Sequence, residues 1–228
     1  MTTEGIELER RSGVDWRRAE FVLTLLGFLG FVTLPIRITT IYGNLPAHPL
    51  FVHVPVILIP CTVVAALVLM ARTEWFSRFG IALAVVSIGA MSSIFLTMQA
   101  GSALQNALHL HGRAAHLIAQ HSQAANILAV IYVAFTAIVI VTFAAQRISG
   151  GMPTGLAVLD RALSAKSLFS ALRVLVVLLA LGVAVMVFRV GDLGAKAVWQ
   201  GRLHSSASAH AAVASGHRDT ARSGGSQT

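Results

Sequence analysis

Long apolar runs alternate with shorter polar stretches along the chain as far as residue 190. Five runs stand out, at residues 21–36, 50–71, 79–104, 124–145 and 168–190. Each of the last four has about the 20 residues that an α-helix needs to cross the hydrocarbon layer of a membrane. The pattern therefore predicts an all-α protein, a polytopic transmembrane helical bundle with four core helices and one N-terminal helix.

The first run is open to two interpretations. Residues 21–36 make up a run that is slightly short for a span of about 20 residues and that ends at Pro35, before Arg37. The run either crosses a locally thinned bilayer, with Arg37 reaching the interface, or lies in the interface itself. A cleaved signal peptide is disfavoured, because the leader is long and charged and no Ala-x-Ala site follows Ile36.

Composition supports the membrane assignment. Apolar residues make up 56% of the 228 residues, charged residues only 11%, and the mean hydropathy is +0.76. This leaves too little polar surface to cover a water-soluble globule. The single cysteine, Cys61, excludes an internal disulfide and the zinc-ribbon and iron–sulfur frameworks, which need several thiolates. Any bound metal must therefore use histidine, carboxylate or thioether ligands.

Basic residues predict the orientation of the bundle. They are dense in the leader and in the polar stretches after the second and fourth runs, and sparse in the other two stretches. Because cytoplasmic loops carry the excess of Lys and Arg, we expect a membrane protein with a cytoplasmic N-terminus and a non-cytoplasmic C-terminus. The net charge of +8 then reflects topology and contact with anionic lipid. Nucleic acid is not an expected partner, because the basic residues are scattered.

Four regions follow from these patterns. Residues 1–20 form a cytoplasmic leader, and residues 21–47 an N-terminal transmembrane or interfacial helix with its loop. Residues 48–198 form a four-helix membrane domain with a histidine site facing outward. Residues 199–228, rich in Ser, Ala, Gly and His, are predicted to be a disordered tail.

The histidines are the main candidates for chemistry. In this topology all of them fall on the non-cytoplasmic side: His48, His53, His109, His111, His116 and His121 at the helix ends, and three more in the tail. His53 is about one turn into the second run, His121 precedes the fourth, and Asp192 follows the fifth. Ionisable residues at such depth normally face the bundle interior.

We therefore expect His53 and His121 to bind a cofactor, either haem b or copper or zinc. The candidate metal ligands are His48, His53, His121 and Asp192. On a continuous helix His48 and His53 would point about 140° apart. Pro46 and Pro49 predict a non-helical stretch, which would let the two histidines converge.

A structural interpretation of the same residues stays open. The histidines could serve only to bond helices together, and Asp192 could pair with Arg189 or Lys196. Neither a Ser–His–Asp arrangement nor paired carboxylates are visible, so the sequence does not indicate a hydrolytic enzyme. The expected partners are the lipid bilayer and either a membrane redox partner or a second copy of the chain.

One stretch carries a family resemblance. The segment His48-Pro49-Leu50-Phe51-Val52-His53-Val54-Pro55 resembles the His-Pro-x-x-Val-His-Phe-Pro motif of the bacterial membrane proteins grouped as domain of unknown function 2231. Two further elements are similar, His121 at the start of the third family helix and Gly191-Asp192-Leu193-Gly194 at the end of the fourth. The resemblance covers residues 48–198 and implies four membrane helices. It supports His48, His53 and His121 together as site residues but does not identify their ligand.

Overall fold

The structure, a computed structural model, describes residues 40–41, 45–108, 112–151, 161 and 165–223. Two short strands, β1 (Thr40–Ile41) and β2 (Leu45–Pro46), pair antiparallel and reverse the chain just before the first helix. Five helices follow within the described residues: α1 (His48–Phe51), α2 (His53–Ala71), α3 (Thr73–Leu108), α4 (Gly112–Ser149) and α5 (Lys166–Ser223). The described part of the chain is therefore all-α apart from this one turn.

Among the residues that the structure describes, four stretches of helix are long and apolar enough to cross a membrane, namely His48–Ala71, Thr73–Leu108, Gly112–Ser149 and Ser167–Trp199. The first combines α1 and α2, because Val52 between them keeps helical dihedral angles (φ −60°, ψ −26°). These four helices confirm the predicted core of the bundle. The predicted N-terminal helix at 21–36 lies outside the described residues.

The four helices form an antiparallel bundle in which neighbours in sequence are neighbours in space. Helix α3 packs against α2 and α4, and α5 packs against α4 and α2, which closes the ring. Contacts between side chains identify the two ends. His48 and His121 mark one end, called here the histidine end. At the opposite end the Arg173 guanidinium donates a hydrogen bond to the Met70 carbonyl at the C-terminus of α2, where a cation is favoured.

The core is apolar and is centred on α4. Phe76, Tyr132, Phe135, Val176 and Val183 are almost completely buried. Helix α5 exposes much more of its apolar surface, and Phe188 is 80% exposed. Such exposure is costly in water, but lipid chains are as apolar as these side chains. The surface of α5 therefore suits contact with a bilayer.

One polar layer crosses the middle of the core, and we call Thr62, Ser87 and Tyr132 the tyrosine layer. The hydroxyls of Tyr132 and Thr62 lie 2.9 Å apart in a hydrogen bond across the diagonal of the bundle. Thr62 also donates to the carbonyl of Ile59 at 2.8 Å. Ser87 lies beside the same tyrosine, and its buried hydroxyl has no hydrogen-bond partner. The layer fixes the relative height of α2 and α4.

The helices extend beyond the apolar runs at the histidine end. The polar stretch between the third and fourth runs was predicted from its composition to connect the helices as a loop. Residues 105–108 and 112–123 are instead helical, and the helices α3 and α4 have 36 and 38 residues. Ala, Leu and Gln are good helix formers, and the Ser122 hydroxyl donates to Gln105 Oε1 at 3.2 Å between the two extensions. Residues 109–111 lie outside the described part.

The tail differs from its sequence-based expectation. Residues 199–228 were expected to be disordered, whereas the backbone of α5 continues as a helix to Ser223. The stretch is rich in alanine, a strong helix former, and contains no proline. A lack of apolar periodicity in the sequence does not by itself exclude a helix.

Candidate functional site

The histidine end combines polar groups from every long helix except α2. His48 comes from α1, Thr97 and Gly101 from α3, His121 from α4, and Val190 and Gly194 from α5. Both imidazoles are partly buried. The site is therefore held by four separate helices rather than by one local motif.

His48 is held against α3 by a hydrogen bond and a close contact. Its Nδ1–H donates to the carbonyl of Thr97 at 2.9 Å. Gly101 follows Thr97 by one helical turn, and a Cβ on it would lie 2.9 Å from the Nδ1 and 3.0 Å from the Cε1 of His48. Carbon atoms do not normally approach so closely. Only glycine at 101 leaves room for the imidazole in this position.

His121 is held against α5 in the same way. Its Nδ1–H donates to the carbonyl of Val190 at 3.0 Å. Gly194 again follows the acceptor by one turn, and a Cβ there would lie 3.2 Å from the Cε1 and 3.3 Å from the Nδ1 of His121. This explains the second glycine of the Gly191–Gly194 element. Nothing lies within 4 Å of the Cβ position of Gly191.

The two arrangements are equivalent in the fold. The bundle contains two helical hairpins, one formed by the continuous α1–α2 span with α3 and the other by α4 with α5. In each of them a histidine near the start of the first span bonds to a carbonyl near the end of the second. The residue four positions after that carbonyl is glycine. A helical carbonyl already accepts from the N–H four residues later, so each imidazole shares this acceptor. The two hairpins are closed at the same end by the same chemistry.

The hydrogen bonds also fix the tautomers. A carbonyl can only accept, so Nδ1 carries the proton in both rings, and Nε2 of a neutral ring keeps a lone pair. Within the described part of the chain, neither Nε2 makes a hydrogen bond. The two rings lie at the same end of the bundle, so each brings one unpaired nitrogen to that end.

A further polar atom lies on α3 next to the His48 contact. Thr97 Oγ1 is buried and has no hydrogen-bond partner among the described residues. Buried polar groups in proteins are nearly always paired. Together with the two imidazoles, this hydroxyl makes this end of the bundle chemically different from the rest of the core.

The structure brings only part of the predicted site together. His53 is exposed, while His48 interacts with His121. The expectation of a non-helical stretch at Pro46–Pro49 was wrong, because α1 begins at His48 with Pro49 in its first turn. Proline is well tolerated there. The helical path turns His48 inward and His53 outward, as the angle of about 140° between them requires.

The remaining candidates lie elsewhere. Asp192 forms an ion pair with Lys196 at 2.7 Å, with the two side chains 42% and 51% exposed, which was one of its two expected pairings. His116 is exposed, and His109 and His111 lie outside the described residues. Among the residues that the structure describes, no three His, Cys, Asp or Glu side chains form a group that could hold a metal.

A cavity adjoins the site on the α4–α5 side. It has a volume of about 210 Å³ and is lined by Gln120, Gln123, Ala124, Ile127, Arg189 and Leu193. Sites for small organic molecules usually span about 300–1,000 Å³. The cavity is therefore small for a macrocycle, and neither His48 nor His121 lines it.

Comparison with known proteins identifies the family but not an activity. A family model described as a predicted membrane protein, DUF2231, matches residues 44–207, more than two thirds of the chain. The chain belongs to the DUF2231 family. No curated protein and no solved structure matches it. The DUF2231 match begins just before His48 and includes all four membrane helices with both histidine–glycine contacts.

Sequence reasoning missed Gly101 and the role of the Thr97 carbonyl. A backbone carbonyl acceptor leaves no trace in residue identity, so this contact could not be found from the sequence. Gly101 was detectable as a glycine at the polar end of the third run, one turn after Thr97. A glycine inside a helix costs about 0.5–1 kcal/mol relative to alanine. Its presence there was the available signal for a close contact.

Proposed function

We propose that this protein is a non-enzymatic membrane module that binds a transition-metal ion through Nε2 of His48 and Nε2 of His121. The observation that carries the proposal is the anchoring of both Nδ1–H groups on backbone carbonyls. Histidines that bind metals almost always donate their other ring N–H to such an acceptor, which orients the ring and fixes its tautomer. Imidazole suits copper and zinc.

We favour a free ion over haem. The buried Thr97 Oγ1 adds an unpaired oxygen on the residue whose carbonyl holds His48, which suits a hydrated ion better than an apolar ring. A copper ion held there would supply one-electron chemistry. We expect a membrane redox partner only if the bound metal is copper. His53 and Asp192, the other two expected ligands, are not part of the proposed site, because His53 is exposed and Asp192 pairs with Lys196.

We also propose that the histidine end faces the non-cytoplasmic side of a bacterial inner membrane. Arg72, Arg78 and Arg147 lie at the opposite end, and cytoplasmic loops carry the excess of basic residues. A reporter enzyme that works only in the cytoplasm should be active when it is fused after residue 151. Activity at the same position of a reporter that works only outside the cytoplasm would reverse the orientation.

A second function rests on a different aspect of the same contacts. Each Nδ1–H bond joins two helices, His48 to α3 and His121 to α5. The histidines could therefore act only as structural bonds of a non-catalytic assembly subunit. Interhelical hydrogen bonds in membranes contribute about 0.6 kcal/mol on average, so this function needs no ligand.

Asparagine substitutions separate the two functions. The Asn side-chain amide has its nitrogen at the same number of bonds from the backbone as Nδ1, but it has no atom at the position of Nε2. We expect His48→Asn and His121→Asn to keep the helix-joining bond and to lose the metal. His48→Ala and His121→Ala should lose both. His53→Asn and His116→Asn, at exposed positions outside the proposed site, are the matched controls and should keep the metal.

The readouts are metal content and ultraviolet–visible spectra of protein purified in mild detergent, oxidised and then reduced. The proposal predicts one copper or zinc per site in the wild type and in His116→Asn, and none in the His48→Asn and His121→Asn variants. A Soret band would assign haem iron instead of a free ion. Full stability of the Asn variants with no metal in any sample, although metals and haem were supplied, would support the structural function.

A further inference from the structure

A second feature, independent of the histidines, is an open groove on the outer surface between α2 and α3. Its volume is about 660 Å³, and its lining is almost entirely apolar. Small side chains, Cys61, Ala65 and Ala82, lie along it, with larger ones, Val64, Val68 and Phe79, beside them. We call this surface the α2–α3 groove.

The groove lies at the depth of the membrane. Its α2 residues run from Pro60 to Leu69, which starts about 10 Å along the helix from His53. Its one polar side chain, Thr62, is already bonded to Tyr132 and to Ile59. An occupant must therefore be apolar and embedded in the bilayer.

Exposure to lipid alone would not require an occupant, because lipid chains are apolar. A concave surface lined by small residues is a different case. Helix association in membranes depends on close van der Waals packing, and small residues are what allow it. Val64 is 61% and Phe79 48% exposed, so both can still gain contacts. The shape favours a helix as the occupant over disordered lipid chains.

The chain itself offers such a helix. Residues 21–36, which lie outside the described part, form an apolar run without a charge. As a helix this run is about 24 Å long, against about 14 Å for the α2 side of the groove from Pro60 to Leu69. Phe28 and Phe31 share one helical face and could fill the groove above its small residues.

The connection is also short enough. Three residues separate Ile36 from Thr40, where the β1–β2 turn leads directly into α1. The C-terminal end of the run is thus tethered to the histidine end beside α2, and the short tether gives the run a high effective concentration at the groove. We propose that residues 21–36 form a fifth membrane helix that packs in the α2–α3 groove. The proposal does not depend on metal binding.

The single cysteine makes the test direct. Cys61 is exposed in the groove, and no other cysteine competes with it. Cysteine is introduced at each position from Leu25 to Phe31, one variant at a time, in the full-length protein in membranes. Iodine oxidation is then followed by gel electrophoresis after proteolysis between the two sites. We expect intramolecular disulfides to Cys61 at positions three or four residues apart.

Matched controls identify the other occupants. The same scan with Cys61→Ser and Val185→Cys moves the target to an exposed position of α5, where no periodic cross-link is expected. A Cys61–Cys61 disulfide between two chains, without cross-links to residues 25–31, would assign the groove to a second copy and overturn the proposal. Absence of both cross-links, with Cys61 still reactive toward a lipid-soluble maleimide, would assign it to lipid and equally overturn the proposal.

Discussion

The bundle contains two polar regions that are built on opposite plans. In the tyrosine layer, Tyr132 and Thr62 are almost completely buried and bond to each other across the bundle. At the histidine end, His48 and His121 bond only to backbone carbonyls and are partly exposed. In the first region Tyr132 and Thr62 pair with each other, whereas the second leaves a nitrogen free on each ring.

This difference separates a structural polar group from a candidate ligand. A side chain whose polar atoms are all paired inside the protein contributes to packing and helix register. A side chain that is oriented by one atom and unpaired at another is positioned to bind something else. We therefore expect the stability of the protein to depend on the tyrosine layer and its metal affinity to depend on the histidine end.

The largest expected effect is on stability. Tyr132→Ala would leave a cavity in the core and should lower the free energy of unfolding by about 3–5 kcal/mol, as for other buried aromatic residues. Tyr132→Phe removes only the hydroxyl and should cost about 0.6 kcal/mol. Unfolding in detergent–SDS mixtures, followed by circular dichroism, measures both. Loss of zinc binding in folded Tyr132→Phe would break the proposed separation of the two regions.

The next effect is on metal affinity. Gly101→Ala would place a Cβ 2.9 Å from His48 Nδ1, so the ring must move away from the Thr97 carbonyl. Changes to groups that orient a metal-binding histidine typically cost about 10- to 100-fold in affinity, and we expect a value in this range for zinc in a competition titration. Gly89→Ala, on the same helix with nothing within 4 Å, should leave affinity unchanged. Equal effects of the two substitutions would contradict the proposed role of Gly101.

A smaller effect is expected on the other hairpin. Gly194→Ala would place a Cβ 3.2 Å from His121 Cε1, which a shift of the ring by a few tenths of an ångström can relieve. We expect zinc affinity to fall by less than about tenfold. Gly191→Ala is the control, because its Cβ would meet nothing within 4 Å. A larger loss for Gly191→Ala than for Gly194→Ala would show that the contact does not matter.

The smallest effect is expected at Asp192. Its ion pair with Lys196 is about half exposed, and such helical pairs contribute about 0.3–0.5 kcal/mol. Asp192→Asn should therefore change stability only slightly and leave zinc affinity within about twofold of wild type. A tenfold loss of zinc affinity would make Asp192 a ligand and extend the site beyond the two histidines.

The sequence was sufficient for the membrane helices but only partly for the site. The four core helices follow from apolar runs of sufficient length, because the thickness of the bilayer sets that length. His121 and the Gly191–Gly194 element were recognised from the sequence, although their contact was not. His53 was selected for its depth in the second run, and a break at Pro49 was expected to let His48 converge with it. The chain is instead helical from His48 onward, which points the two imidazoles apart.

Other parts of the site depend on contacts between distant residues. His48 and Thr97 are 49 positions apart, and His121 and Val190 are 69 apart. Both acceptors are backbone atoms, which every residue possesses. Only the glycines leave a signature in the sequence, and its meaning becomes clear once the imidazole is seen lying on each of them.

The central claim, that Nε2 of His48 and Nε2 of His121 bind one metal ion together, can be tested by nitrogen NMR of protein labelled in its histidine rings. His48→Asn and His121→Asn assign the signals. Without metal, both rings should show the tautomer protonated at Nδ1. On addition of one equivalent of Zn²⁺, both Nε2 signals should shift together, while that of His116 should not. Nε2 signals that stay unchanged with Zn²⁺, or rings protonated at Nε2, would contradict the claim.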